Sequence, residues 1–229
     1  MSTAVIACGA LAVHVRAIAA RRRWDVEVLP VDALLHNRPE RIPAAAREIA
    51  SRHERVVLAY ADCGTYGALD ELALPRLRGD HCYDVFAAAD VQAALQDEPG
   101  TYFLTDFLAR TFEHTVWREL GLDRWPELRD AYFGSYRRVV WLAQRRTPAG
   151  ERAAARAAEL LRLSLEIREV GDAGLERELE ALLVSEEGPT WRQGGVTATP
   201  IQCRTPALSR PSAAPATPRP ARSSSAAHA

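Results

Sequence analysis

Hydrophobic period switches back and forth along this chain, and that alternation limits its fold more than any single motif does. Short β-type runs recur at 3–7 (TAVIA), 25–30 (DVEVLP), 55–60 (RVVLAY), 101–105 (TYFLT), 138–143 (RVVWLA) and 165–170 (LEIREV). Helical patterns fill the intervals at 10–22, 40–53, 66–74, 105–120, 149–162 and 173–184. The segment AGERAAARAAELLR (149–162) is the strongest helix former by composition. Such alternation predicts an α/β fold: a mainly parallel sheet with helices on both faces. The unbroken apolar character of 3–7 and 56–60 fits, because central parallel strands are buried on both sides.

Residues 186–229 differ in kind. They hold seven of the 14 prolines among repeated Ala, Ser and Thr. A segment of this composition cannot bury enough apolar surface to offset its ordering entropy, so it reads as a disordered tail. Residues 1–185 read as one α/β domain. Five arginines and two glutamates fall in the tail, which leaves the domain 24 basic and 28 acidic residues.

Several function classes drop out early. All 29 basic residues are arginine, so there is no Walker lysine, no Schiff-base lysine and no lysine general base. A formal net charge of −1 argues against a nucleic-acid partner. No apolar run reaches the roughly 20 residues of a membrane span. The first residues, MSTAVIACGALAVHVRAIAARRR, lack a basic segment ahead of the apolar one, and a lipoprotein-like VIAC box lies too near the start to be used. The expected location is cytoplasmic. There is no GxGxxG, GxSxG or HExxH pattern.

In a reducing compartment, cysteines point to reactive or metal-binding thiols rather than disulfides. Cys8 directly follows the first strand (AVIACGAL), Cys63 follows the third (LAYADCGT), and Cys82 follows PRLRGDHC, where 76–79 reads as a short strand and 83–89 as a helix. All three fall at strand-to-helix turns, and a parallel sheet gathers such turns at one edge, where α/β proteins bind ligands. Three convergent thiolates suit zinc with a fourth position open, or an iron–sulfur cluster with one open iron. Nearby helix N-termini favour the thiolate. His81 and Asp62 adjoin two of the cysteines as ligands or as groups that orient one. Against this stands the common behaviour of free cysteine as a small buried hydrophobe.

His36, in LLHNRPERIP, lies on the same edge as a ligand or general acid–base, or simply as part of a turn. Asp62, Gly64 and Thr65 beside Cys63, and Arg38 beside His36, are candidate binding residues on this edge. Thr105 or Asp106 fits a helix N-cap, and Gln144 follows a strand at the site's edge. The Arg- and aromatic-rich 121–144 reads as a solvated helix rather than a base-stacking surface.

The segments ACGAL, LLHNRP, YADCGT, GDHCYDVF, EPGTYFLTDFL and GLDRWPELRDAYFGSYRRVVWLAQ occur in order across about 4–183. Together they closely resemble the DUF1638 family of bacterial and archaeal proteins. The family pattern reads YADCGTGG where this chain has Tyr66, and HCYEFFAG where it has HCYDVFAAA; both departures leave the thiols in place. Members are often encoded near corrinoid-dependent methyltransferases and their reductive activators. The resemblance therefore implies a role beside one-carbon transfer to or from a cobalamin protein.

Two expectations follow. In the first, Cys8, Cys63 and Cys82 hold zinc or an iron–sulfur cluster, with His81 or His36 assisting. The protein is then an enzyme or accessory in corrinoid-linked methyl transfer, acting on a small-molecule substrate or beside a corrinoid protein or methyltransferase. In the second, the cysteines are packing residues and the strand ends hold a small anionic or corrinoid-related ligand without catalysis. A thiol nucleophile with His81 as base is a third possibility.

Overall fold

A computed structural model describes residues 2–184. The expectations for 186–229, including a tail without structure, lie outside the described residues. The first half holds β1 (Thr3–Cys8), α1 (Ala12–Arg22), β2 (Val26–Val31), α2 (Ile42–Ala50) and β3 (Val56–Ala59). The second holds α3 (Cys82–Asp97), β4 (Thr101–Leu104), α4 (Asp106–Phe112), α5 (Arg129–Phe133), β5 (Arg138–Ala143), α6 (Pro148–Leu161), β6 (Ser164–Glu169) and α7 (Ala173–Val184).

All six anticipated strands form, and every pairing is parallel, so the fold is α/β as expected. Hydrogen bonding divides the strands into two three-stranded sheets, ordered β2-β1-β3 and β4-β5-β6. Burial explains the order. The central strands β1 and β5 are almost wholly buried, whereas the edge strands β2 and β6 are mostly half-exposed. Pro30, which cannot donate to a ladder, is tolerated because β2 is an edge strand.

Three local expectations are corrected. Residues 66–74 do not form a helix; the chain makes tight turns there, with one 3₁₀ turn at Asp70–Leu72. Asp62 draws the backbone N–H groups of Tyr66 and Gly67 onto its carboxylate, and this turn geometry excludes a helical ladder. The strand expected at 76–79 shrinks to a parallel bridge between Leu58 and Arg76. The helix at 83–89 extends instead to Asp97, with a non-helical break at Ala87.

Thr147 caps α6 by accepting from the Gly150 N–H at 3.0 Å, Pro148 opens it, and Arg162 closes it in the left-handed conformation. Gly150 is required there because a Cβ would stand 2.9 Å from the fully buried Trp141 ring. Beyond α4 the helix continues as a π-helical turn over Glu113–Arg118. No helix among the described residues is long and apolar enough to cross a membrane.

Candidate functional site

The carboxyl edge of the first sheet carries all three cysteine-bearing loops. Cys8 is the last residue of β1, and β3 lies beside β1, so the Tyr60–Cys63 segment leaves the sheet next to Cys8. The Cys82 loop is then stitched to the same edge by backbone bonds. Leu58 N–H donates to Pro75 O (2.8 Å), Leu77 N–H to Leu58 O (3.1 Å), Asp62 N–H to Gly79 O (3.0 Å) and Cys63 N–H to Asp80 O (2.7 Å). Residues 75–80 thus act as a fourth parallel segment, and α3 starts at Cys82 directly after it.

Asp62 organises the turn that carries Cys63. Its carboxylate accepts from the Thr65 hydroxyl (2.9 Å), the Tyr66 N–H (3.0 Å) and the Gly67 N–H (2.8 Å). Burial pushes its pKa up, but these bonds outweigh that and hold it below the usual carboxylate value. Cys63 has φ 51° and Tyr66 has φ 52°, both left-handed, with Gly64 and Gly67 also at positive φ. A non-glycine residue in this region costs about 1–2 kcal/mol. Tyr66, 96% exposed, meets that cost with no packing in return, which gives a physical reason for a glycine at this point of the pattern. Gly64 lies against Pro39, so the 33–41 loop closes over the same edge.

All three thiols are buried and free. Burial pushes each of them above the ordinary thiol value. Their mutual repulsion adds to this: Cys82 and Cys8 raise Cys63 further, and Cys8 raises Cys82, which reaches about 12. Backbone N–H groups of Ala10 and Leu11 at Cys8, and of Tyr83 at Cys82, pull the other way but lose to desolvation. The thiols are therefore protonated at neutral pH. Among the described residues, no three His, Cys, Asp or Glu side chains meet in an arrangement that holds a metal ion.

The two histidines are placed differently. His36 Nδ1 stands 3.8 Å from Cys8 Sγ, and burial depresses the imidazole pKa. A raised thiol beside a depressed imidazole is a neutral pair, not a thiolate–imidazolium pair. His81 precedes α3, stacks on Tyr83 with centroids 4.7 Å apart, and has a largely exposed side chain. Asp84 Oδ2, 3.5 Å from His81 Nδ1, draws the imidazole pKa up, and the same oxygen accepts from the His81 backbone N–H at 2.9 Å. Arg38 is exposed, Thr65 is buried and bonded to Asp62, and Gln144 bonds the Asp106 N–H (2.8 Å) away from the thiols.

One residue at this edge escaped sequence reasoning. The Tyr60 side chain is fully buried and its hydroxyl has no hydrogen-bond partner among the described residues. The Cys8 thiol acts on it electrostatically, and after burial this is the main cause of its raised pKa, yet no pairing of good geometry joins them. An orphaned buried hydroxyl costs about 1–3 kcal/mol. The available signal was its position as the polar end of an apolar strand, two residues before Asp62.

A family model described as "Protein of unknown function (DUF1638)" matches residues 12–179. No curated protein and no solved structure matches the chain.

Proposed function

The chain belongs to the DUF1638 family, and from that premise we propose that Cys8, Cys63 and Cys82 form a site for a thiophilic metal, zinc or an iron–sulfur cluster. The observation that carries this reading is the placement of three cysteine-bearing loops on one sheet edge, near enough that ionising one thiol opposes ionising the next. Three thiolates formed together at this edge would repel, and a cation that takes the place of their protons would neutralise them. Thiolates are the donors that zinc and iron–sulfur clusters prefer. His36 beside Cys8 would supply a fourth ligand or orient one, and loading requires the sulfurs to close on the ion. A bound zinc would polarise a thiol or similar small substrate. An enzymatic or accessory role in corrinoid-linked methyl transfer, beside a corrinoid protein or methyltransferase, rests on the family resemblance alone.

One observation favours a second reading. The three sulfurs belong to the main hydrophobic core, among Ile6, Leu58 and Phe86, as packing cysteines would. The protein would then be a non-catalytic module for a small ligand. Elemental analysis of the full chain, purified anaerobically and then reconstituted with zinc or with iron and sulfide, separates the two. Near-stoichiometric metal in the wild type that is lost in Cys8→Ser, Cys63→Ser and Cys82→Ser supports the metal site. A chain that stays metal-free after reconstitution, or keeps its metal in all three variants, overturns it.

A further inference from the structure

A second cleft opens on the carboxyl side of the other half and shares no residue with the cysteine cluster. Its volume is about 190 Å³, and its lining includes His14 from α1, Asp106 and Arg110 from α4, Arg145 after β5, Thr147 at the start of α6, and Asp172 before α7. The two carboxylates are already engaged. Asp106 accepts from Trp141 Nε1 (3.1 Å), Gln144 N–H (3.1 Å) and Arg145 N–H (2.8 Å). Asp172 is ion-paired to Arg21 at 3.3 Å. The two guanidiniums are exposed and not engaged: neither Arg110 nor Arg145 makes a hydrogen bond or ion pair through its side chain among the described residues.

We propose that this cleft binds a small oxyanion, the phosphate or carboxylate group of a metabolite, between Arg110 and Arg145. Both arginines are tied to Asp106 through the backbone rather than through their side chains. Asp106 holds the Arg145 backbone directly, and Arg110 follows one helical turn after Asp106 on α4. Two unpaired guanidiniums at one cleft can recognise a planar or tetrahedral oxyanion through paired N–H donors. The first turn of α6, at Thr147 and Gly150, adds the positive end of a 14-residue helix. The volume equals about six water molecules, enough for an oxyanion group and a few carbons. His14 faces the same space, edge-on to Phe86 at 5.1 Å between centroids, and feels the Asp106 and Asp172 carboxylates as well as, more weakly, both guanidiniums.

The test is calorimetric titration of the full chain with inorganic phosphate and, separately, with acetate. Arg110→Gln and Arg145→Gln are compared with Arg47→Gln, the same charge loss on α2. Saturable binding is expected, weakened about fivefold or more by each cleft variant and left within about twofold by the control. The anion that binds more tightly identifies the ligand group. The His14 ring resonances should shift with phosphate in the wild type and not in the Arg110→Gln Arg145→Gln double variant. No saturable binding of either anion overturns the proposal, and so does equal weakening by Arg47→Gln.

Discussion

Replacement of Asp106 offers a graded test of how the second half is held. The carboxylate is 5% exposed and accepts three hydrogen bonds. Bonds to a charged group contribute roughly 1.5–3 kcal/mol each, against a desolvation penalty of several kcal/mol for the buried ion. The helix N-terminus behind it recovers roughly 0.3–1 kcal/mol. In Asp106→Ala the Gln144 and Arg145 N–H groups can turn to water, but the Trp141 indole is fully buried and its N–H is stranded. The net loss is about 3–4 kcal/mol. Asp106→Asn keeps the oxygen that serves both Trp141 and Gln144 if its amide orients that way, and gives up only the bond to Arg145 and the charge, about 1.5 kcal/mol. At about 2–4 °C per kcal/mol for a domain of this size, the melting temperature should fall by about 10 °C for Ala and about 4 °C for Asn. Differential scanning calorimetry measures both. If desolvation outweighs the bonds, Asp106→Ala is neutral or stabilising; that result, or equal shifts for the two variants, refutes the clamp.

Other perturbations follow from particular contacts. Gly174→Ala puts a Cβ into the Phe86 carbonyl oxygen where α7 crosses α3, and should cost about 2–4 kcal/mol in urea denaturation. Tyr66→Gly removes a left-handed tyrosine with no burial to lose, and should leave stability unchanged or raise it by about 1 kcal/mol in the same assay. Burial holds the His14 pKa below the ordinary histidine value, so the unfolded chain takes up a proton that the folded one refuses. Stability is full above about pH 6.5 and falls as pH drops from there toward the folded pKa. Its slope, at most about 1.4 kcal/mol per pH unit for one group, should flatten in His14→Gln when urea midpoints are compared across that range. Because Cys8, Cys63 and Cys82 are buried and protonated, alkylation at pH 7 read by peptide mass spectrometry should be slow at all three in the native protein and fast in denaturant. Rapid native labelling of one of them would favour a nucleophilic thiol instead.

Periodicity carried the fold because its signals are local. Each strand is a short apolar run, and β5, with Val139 to Ala143 buried, could hardly be misread. The division into two sheets was not legible, since it depends on which strands exchange hydrogen bonds and not on how any one of them reads. The 66–74 segment misled for a similar reason: ALDELAL has helical spacing, yet Asp62, several residues earlier, captures the amides that a helix would need. At the candidate site, strand-end placement was enough to group Cys8, Cys63 and Cys82 on one edge. It was silent about Tyr60, whose importance comes from a missing partner, and about the exposed position of His81. The Arg110–Arg145 cleft was invisible, because its residues become neighbours only after α4 and the β5–α6 turn are pinned by Asp106.

The break in α3 at Ala87 falls between two apolar interiors. Cys82, Val85, Phe86 and Ala87 pack with the first sheet, whereas Val91 and Ala94 pack with Phe103, Val140 and Leu142 of the second. One helix is thus a common wall for both. Neither half can melt without exposing its share of that wall, so the described region should denature in a single cooperative step, with calorimetric and van't Hoff enthalpies equal.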